Sequence, residues 1–496
     1  MTTEASAGQA SPETGAPAAA GVPDGLWSRQ RRSLTAGLVL TITFIASEAL
    51  AVVTIMPVVA RDLGGLSLYG WVFSAFMLGN VVGIVTAGRQ ADRYGPARPF
   101  LGGLVLFGAG LTIAGLAPTM LVLVGGRALQ GIGAGAVPAV AYVAIGRSLP
   151  DHLRPRMMAV LSTAWVLPGL VGPAVSAAVA SLVGWRWVFL GLLPVVAVTG
   201  SMALPALFRL GRKPHAGSQP GGATEHRLTD GLAAAAGAGL ILGGLTLAAG
   251  SGRILAGAGT AVIGLAAAGW SLRRLLPAGT FTARPGLPAV ILCRGLLTFT
   301  FFGADAYVTL TITTVRHHTP ALAGVAVTGA TLAWTAGAWL QSRLNGRWEP
   351  RRLVGCGLAI IVTGLAAMAL VLLPSVPVYL SLAAWTVAGF GIGLAYAPIS
   401  LLMLRQAPPG REGWASAALS LADVLGTALG IGAGGAAVTA ATAHGWPLAD
   451  GVAVAFAIAG AGAVGLAAAS RRLPLTGLTS TTADRQLPRV ERQGSI

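Results

Sequence analysis

The chain has 496 residues, of which 54% are hydrophobic and only 10% are charged, and its mean hydropathy is +0.74. So little polar surface excludes a soluble globular protein and indicates an integral membrane protein. The net charge of +17 would suit nucleic-acid binding, but the basic residues concentrate in one set of loops, which is typical of a membrane topology signal. The two cysteines form neither a disulfide framework nor a metal-binding spacing.

Apolar stretches of about 20 residues, the length of a membrane-crossing helix, recur along the chain in groups of six, two and six. The predicted spans are 34–60, 69–89, 99–117, 120–146, 157–183 and 187–208; 231–249 and 254–272; 287–313, 320–341, 351–373, 378–404, 414–441 and 449–470. The predicted fold class is therefore all-α integral membrane, with two pseudo-symmetric six-helix bundles plus two extra central helices. The middle pair is rich in Gly and Ala, and a re-entrant hairpin is the alternative there.

The predicted domain boundaries follow these groups. They are a disordered cytoplasmic tail at 1–33, an N-terminal bundle at 34–208, a cytoplasmic linker with the two extra helices at 209–286, a C-terminal bundle at 287–470 and a second cytoplasmic tail at 471–496. The first tail has no apolar core of the signal-peptide type, so the first span is expected to remain uncleaved.

The basic residues test this topology. With the N-terminus in the cytoplasm, most of the 33 Lys and Arg residues fall in cytoplasmic loops and tails. The opposite loops hold only Arg61, Arg186, Arg253 and Arg316, and Arg127 and Arg294 lie within spans. This bias follows the positive-inside rule and predicts a multi-pass plasma membrane protein with both termini in the cytoplasm. Anionic lipid, rather than nucleic acid, is then the partner of the basic surface.

An acidic residue lies in the middle of the first span and recurs in the ninth. Residues 40–55 read LTITFIASEALAVVTI and residues 297–312 read LTFTFFGADAYVTLTI, which places Glu48 on Asp305. An ionisable side chain within hydrocarbon costs at least ~2.5 kcal/mol, so it indicates function by default. Two acids at equivalent places indicate a transporter built from two halves around a central polar site.

The duplication extends to other spans. The glycine pattern of residues 131–135 recurs at 389–393, and residues 161–167 resemble 419–425 at the same spacing. Three spans in register favour a duplicated six-helix unit over chance similarity.

The loop between the second and third spans resembles the signature loop of the major facilitator superfamily. Residues 88–98 read GRQADRYGPAR, with a Gly that starts the turn, an Asp-Arg pair, and a Gly and a basic residue that end it. The residues that the resemblance assigns to a cytoplasmic gate are Gly88, Asp92, Arg93, Gly95 and Arg98. Such contacts can hold the cytoplasmic side closed in one state and release it in another. Pro96 and Ala97 stand where the family usually has basic residues, and an ordinary basic turn is the alternative.

The fourth and fifth spans carry further resemblances to this superfamily. Arg127 lies within the fourth span, where the family's Arg is linked to proton coupling; the alternative is a side chain that reaches the outer interface. In the fifth span, PGLVGP is similar to the antiporter signature of the exporting branches, on Gly169, Gly172 and Pro173. Proline bends the helix, and glycine lets a neighbour pack closely. The match is partial, because the family's last glycines are absent.

The first span also resembles the fourteen-helix drug/proton antiporter family, in which an acid often precedes a proline by nine residues. Glu48 precedes Pro57 by this spacing, although Leu50 stands where the family usually has Thr. A carboxyl group in a low-dielectric site takes up a proton readily, and a nearby arginine opposes this. Proton coupling is therefore expected to involve Glu48, Arg127 and Asp305, with either acid as the carrier.

The expected substrate cavity is lined by one acid and several tryptophans: Asp423, Trp71, Trp165, Trp334 and Trp385. Asp423 can carry a proton, neutralise a cationic cargo, or pair with Arg294 or Arg405. Tryptophan faces attract cationic molecules, although a membrane tryptophan often simply packs.

These features predict proton-coupled efflux of amphiphilic small molecules, such as drugs or antibiotics, by alternating access. An exporter of lipids or siderophore-type metabolites, and a proton-coupled uptake symporter of the same fold, are the alternatives. The sequence has no paired metal ligands, nucleophile motif or phosphate-binding loop, so neither an enzyme nor a bound cofactor or metal is expected. The expected partners are small-molecule cargo, protons and membrane lipids, with the chain acting as a monomer.

Overall fold

The computed structural model describes residues 25–28, 31–149, 153, 156–157, 160, 164, 166–209, 222–344, 347–408 and 411–474. Most of both predicted tails, the first part of the predicted linker and Trp165 lie outside the described residues. Leu26 is buried, and its carbonyl accepts a hydrogen bond from Thr35 Oγ1 at 3.0 Å. The end of the predicted N-terminal tail therefore packs against the first helix.

Fourteen helices of at least 17 residues form the described structure. In chain order they are α1 Arg32–Leu63, α2 Tyr69–Tyr94, α3 Ala97–Gly115, α4 Met120–Ser148, α5 Val166–Leu182, α6 Leu193–Arg209, α7 Gly222–Ser251, α8 Ile254–Leu275, α9 Leu287–Leu310, α10 Pro320–Leu344, α11 Pro350–Leu370, α12 Leu380–Gln406, α13 Glu412–Ala443 and α14 Leu448–Ser470. A short helix, Arg186–Leu190, precedes α6, and a π-helical turn, Thr311–Val315, extends α9.

Within the described residues, 13 helical stretches are long and apolar enough to cross a membrane. The described part of α5 is shorter, with 17 residues, because the predicted start of that span falls mostly outside the described residues. The predicted all-α membrane fold is confirmed.

The helix ends follow local sequence signals. Gly64 and Gly65 both adopt positive φ and end α1. The Thr119 hydroxyl accepts a hydrogen bond from the Val122 amide and caps α4. Pro350 occupies the first position of α11, where its missing amide proton costs nothing.

The two six-helix halves meet in a pseudo-symmetric arrangement. The second helix of the first half, α2, packs against the fifth helix of the second half, α13. Reciprocally, α5 packs against α10, and α1 and α9 meet between these two seams. Because successive helices reverse direction, α1 begins and α14 ends on the same face of the bundle. This face is called the terminal face below, and the face at the other end of the helices is called the opposite face.

The two central helices form a tight pair beside this bundle. A Cβ on Gly244 of α7 would lie 2.4 Å from the Gly257 carbonyl oxygen of α8, and one on Gly264 would lie 2.6 Å from the Gly237 carbonyl oxygen. Only glycine permits such close backbones. With 30 and 22 residues, α7 and α8 each have the length of a full span, which favours two spans over a re-entrant hairpin. Helix α7 also packs on α2 and α13.

Candidate functional site

A buried ion pair joins α1 to α4 in the first half. Arg127 donates one hydrogen bond to Glu48 Oε1 and a second one, of 2.7 Å, to Gln130 Oε1. Its Nε donates to the Val72 carbonyl at 3.3 Å, and its guanidinium lies 4.2 Å from the centre of the Phe76 ring. Glu48 is 0% exposed and Arg127 is 2% exposed. Arg127 therefore does not reach the interface, and that alternative is wrong.

The second half holds an equivalent pair between α9 and α12. Trp385 Nε1 donates a hydrogen bond of 2.7 Å to Asp305 Oδ1. Asp305 is the repeat counterpart of Glu48, and Trp385 lies 258 positions after Arg127, which is also the spacing of the glycine repeat on these helices. In each half, the acid accepts a hydrogen bond from the fourth helix of that half. The donor is the cation Arg127 in the first half and the neutral indole of Trp385 in the second.

An aromatic strip runs from this second pair toward the terminal face. Phe301 stacks on Trp385 with ring centres 5.1 Å apart and an interplanar angle of 18°. Phe301 also meets Trp334 edge-on at 5.8 Å, and Trp334 lies 5.4 Å from Tyr396. These four rings, called the aromatic strip below, present flat apolar surfaces with polar atoms at both ends.

Asp423 lies at the far end of the aromatic strip. The Tyr396 hydroxyl donates to Asp423 Oδ2 at 3.0 Å, and Arg294 Nε lies 3.8 Å from Asp423 Oδ1. The Arg294 guanidinium sits 3.4 Å from the centre of the Tyr396 ring and also bonds Ser400. Of the two partners that the sequence allowed for Asp423, the structure selects Arg294. The Asp423 side chain is 27% exposed, whereas that of Arg294 is only 3% exposed.

Trp71 is not brought to the aromatic strip. Its Nε1 donates to Thr246 Oγ1 on α7 at 3.0 Å, and it lines a cavity of about 610 Å³ between α2, α7 and α13. Trp165 lies outside the described residues. Among the predicted tryptophans that the structure describes, Trp334 and Trp385 both contact Phe301, and Trp71 lies apart from them.

The predicted gate loop is shorter than expected. Helix α2 continues through Gly88 and Asp92 to Tyr94, and α3 begins at Ala97, so Gly88 does not make the turn. The turn is made at Gly95, whose φ of 82° favours glycine. Arg93 and Arg98 lie 5.2 and 5.8 Å from the centre of the Tyr94 ring. The side chain of Asp92 is outside what the structure describes.

One of the two antiporter-like glycines of α5, Gly169, faces the other half. A Cβ on Gly169 would lie 2.2 Å from Thr331 Cγ2 on α10, and a Cβ on Gly324 of α10 would lie 3.4 Å from the Pro173 carbonyl oxygen. Gly172 is less crowded, since its Cβ would meet only Leu50 Cβ, at 3.9 Å. The motif therefore sits where α5 and α10 join the two halves.

Three contact residues were not predicted from the sequence: Gln130, Phe301 and Tyr396. Gln130 follows Arg127 by three positions and therefore shares its helix face, which is a usable signal. Phe301 and Tyr396 read as ordinary apolar helix residues, and only the packing of α9 against α12 reveals them.

Known proteins resemble this chain over most of its length. The profile of the Major Facilitator Superfamily matches residues 36–431. A probable multidrug-efflux transporter of Mycobacterium tuberculosis is 28% identical over 461 residues, which cover 90% of this chain and 94% of that protein. The multidrug transporter protein MdtP of Bacillus subtilis is 32% identical over 166 residues, or 34% of this chain and 31% of that protein.

Solved transporter structures share the fold. The POT family transporter PepTSo has a TM-score of 0.65 at 13% identity, with 88% of this chain and 98% of that chain covered. A bacterial homologue of the human lysosomal transporter Spinster, in an inward-facing conformation, has a TM-score of 0.60 at 15% identity, with 90% and 98% covered. Together with the family profile, this fold shows that the chain belongs to the Major Facilitator Superfamily and is a multi-pass membrane transporter, not an enzyme.

Proposed function

We propose that this transporter exports amphiphilic small molecules in exchange for protons. The observation that carries this function is the pair of acid–donor contacts inside the bundle, Glu48 with Arg127 and Asp305 with Trp385, at equivalent places in the two halves. A membrane-buried acid is costly unless it serves transport of charge or protons. The exchange requires that one of these acids takes up a proton on one side of the membrane and releases it on the other.

The aromatic strip is the proposed cargo surface. Its rings can stack on a flat apolar molecule, and Asp305 and Asp423 stand at its two ends to receive polar or cationic groups. Trp385 belongs to the aromatic strip and also donates the hydrogen bond to Asp305. Binding of cargo to the Trp385 ring can therefore affect the binding of a proton to Asp305, and the reverse.

Alternating access requires that the seams between the halves open and close. Hydrogen bonds between described residues join the halves on the opposite face: from the Tyr69 hydroxyl to the Ala306 carbonyl (3.0 Å), from Thr309 to the Val53 carbonyl (2.9 Å) and from Thr439 to the Ser67 carbonyl (2.8 Å). These bonds hold α1 against α9, and the start of α2 against α13, on this face. We place it outside the cell, with both termini in the cytoplasm of a plasma membrane protein and the residue 88–98 loop as the cytoplasmic gate.

Export, rather than uptake, is supported by the names of the efflux relatives and by the glycine-rich seam at Gly169 and Pro173. Lipids or siderophore-type metabolites are the alternative cargo, since an aromatic strip with polar ends also accepts larger amphiphiles. We take the monomer as the working unit.

The direct test is proton-driven efflux in inverted membrane vesicles loaded with a pH-sensitive dye. Ethidium, tetraphenylphosphonium and a panel of antibiotics are added after an acidic lumen has formed. Wild type is expected to release protons when a cargo is added, while Glu48→Gln and Asp305→Asn both impair this response. Glu349→Gln is the matched control, because Glu349 lies at a helix end with a side chain that is 43% exposed. No proton release with any cargo, in wild type and variants alike, would direct the search to lipid export or uptake.

The cargo surface is tested separately with tryptophans of α10. Loss of one aromatic contact costs about 0.5–1.5 kcal/mol, so Trp334→Ala is expected to raise the KM for an aromatic cargo by roughly twofold to tenfold. Trp339→Ala is the control, since Trp339 is 58% exposed on the outside of the same helix. Equal KM values for the two variants would remove Trp334 from the cargo site.

A further inference from the structure

The two acid–donor pairs occupy equivalent places but differ in charge. Glu48 faces the guanidinium of Arg127, and Asp305 faces the indole N–H of Trp385. Among the described residues Asp305 has no ion-pair partner. The duplicated architecture therefore presents one acid with a fixed counter-charge and one acid without it.

This difference decides what happens when each acid takes up a proton. Protonation of Glu48 leaves Arg127 as a buried cation with no counter-charge, which is strongly unfavourable because arginine cannot lose its own proton. Protonation of Asp305 leaves no charge behind, and the Trp385 N–H can still donate to the carbonyl oxygen of the neutral acid. The second pair can thus change its protonation state without breaking its hydrogen bond.

The two acids also differ in their exposure to solvent, and Asp305 is the more exposed of the two. Glu48 is 0% exposed, whereas Asp305 is half-buried. Asp305 keeps some solvent-accessible surface in the present conformation, whereas Glu48 has almost none.

The other ionisable groups on the helices around α9 are engaged elsewhere. Tyr69 of α2 donates to the Ala306 carbonyl, Tyr307 donates to the Ile431 carbonyl, and Asp423 of α13 is held by Arg294 and Tyr396. The remaining described charges on α10, α11, α12 and α14 lie within a few residues of a helix end: Arg343, Arg351, Arg352, Arg405 and Asp450. None of these is placed to act as the missing counter-charge of Asp305.

We propose that Asp305 is the acid that carries the coupled proton, that Trp385 is its positioning residue, and that the Glu48–Arg127 pair is a fixed electrostatic brace between α1 and α4. This assignment rests on the proposed proton coupling. It separates the roles of the two halves: the first keeps its charge, and the second exchanges it next to the aromatic strip.

Infrared difference spectroscopy of the purified full-length transporter tests this assignment without any cargo. The acid-minus-alkaline spectrum of wild type is expected to show, apart from the bands of exposed carboxyl groups such as Glu349, a separate C=O stretching band at the higher frequency of a protonated carboxyl group shielded from water. Asp305→Asn should lose this band, whereas Glu48→Gln and Asp423→Asn should keep it. A band that survives Asp305→Asn, or that is absent from wild type, overturns the assignment.

Variants of Trp385 supply a second test. A variant that adds charge should change the carboxyl band if Asp305 exchanges a proton, and it should leave the band unchanged if Asp305 has only a structural role. Trp385→Arg copies the Arg127 arrangement and should remove the band at the acidic pH where wild type shows it. Trp385→Phe keeps the aromatic packing without adding charge and should retain the band. An unchanged band in a folded, monodisperse Trp385→Arg protein contradicts the proposal; if this variant does not fold, the Asp305→Asn and Glu48→Gln spectra decide alone.

The experiments distinguish a wrong assignment of Asp305 from a wrong proposal of proton-coupled efflux. The infrared band depends on proton uptake by the protein itself, while the vesicle assay depends on cargo. Wild-type proton release with a cargo, together with a band that persists in Asp305→Asn, would keep the antiporter and move the carrier to another acid.

Discussion

The Glu48–Arg127 pair shows how little freedom a buried charge has inside a helical membrane bundle. Arg127 bonds Glu48, Gln130 and the Val72 carbonyl, while Glu48 Oε2 has no hydrogen-bond partner among the described residues. The guanidinium is therefore better satisfied than the carboxylate. Removing the carboxylate should be the more damaging change, because it strands a cation that cannot be neutralised.

Thermal unfolding tests this asymmetry. Glu48→Gln is expected to destabilise the protein by on the order of 3 kcal/mol, as for other broken buried pairs. Arg127→Met should cost less, because the stranded Glu48 can take up a proton, and the double variant should be more stable than Glu48→Gln. Unfolding can be followed by thiol labelling of the buried Cys293 in a Cys356→Ser background, since Cys356 is exposed.

The double variant Glu48→Gln/Arg127→Met is the control for this experiment. If the double variant is destabilised by the sum of the two single effects, Glu48 and Arg127 do not interact energetically, and the brace is excluded.

At the scale of single residues the sequence was informative about charge and uninformative about packing. Glu48, Asp305 and Asp423 could be found because an acid within an apolar span has few explanations. Phe301 and Tyr396 could not, because an aromatic residue in a membrane helix is ordinary until its neighbours are known. Trp71 shows the same limit, since only the structure places it against α7.

At the scale of helices, the α5–α10 seam gives the antiporter-like motif a physical meaning. Gly169 touches Thr331 across the seam, whereas Gly172 has room for a methyl group. Overpacking a close contact costs about 1–3 kcal/mol. Gly169→Ala should therefore push α5 away from α10 and lower the transport rate, while Gly172→Ala should transport nearly as wild type does.

Thr331→Ala removes the methyl group that Gly169→Ala would meet. The double variant Gly169→Ala/Thr331→Ala is expected to recover transport, as measured by the vesicle assay. Equal losses in the Gly169→Ala and Gly172→Ala proteins, or no rescue by Thr331→Ala, would show that close packing at Gly169 is not what the motif provides.

Helix positions were predicted well from apolar length, and helix ends less well. The central pair illustrates the difference: its spans were predicted at 231–249 and 254–272, whereas α7 begins at Gly222 and α8 ends at Leu275. A helix can continue beyond the bilayer core through polar residues, which a search for apolar stretches does not register. Helix α2 likewise runs through Asp92 to Tyr94, so the predicted gate loop is reduced to two residues.

At the scale of the whole molecule, the duplication seen in the sequence becomes a pair of reciprocal seams. Helix α2 meets α13, and α5 meets α10, so each half contributes its second and fifth helices. The repeat spacing predicted two related bundles, but it did not predict which helices join them, because that depends on side chains that differ between the halves. Transport requires these seams to move.

Cross-linking the α2–α13 seam tests that requirement. Thr439 Oγ1 donates to the Ser67 carbonyl at 2.8 Å, and both residues line the same cavity of about 610 Å³. In a Cys356→Ser background, Ser67→Cys/Thr439→Cys joined by a short bis-methanethiosulfonate reagent should stop transport, because the opposite face can no longer open. Reduction should restore it, and each single cysteine treated in the same way should transport normally. Full turnover with the cross-link in place would mean that this seam stays closed throughout the cycle, and that access must alternate through the α5–α10 side alone.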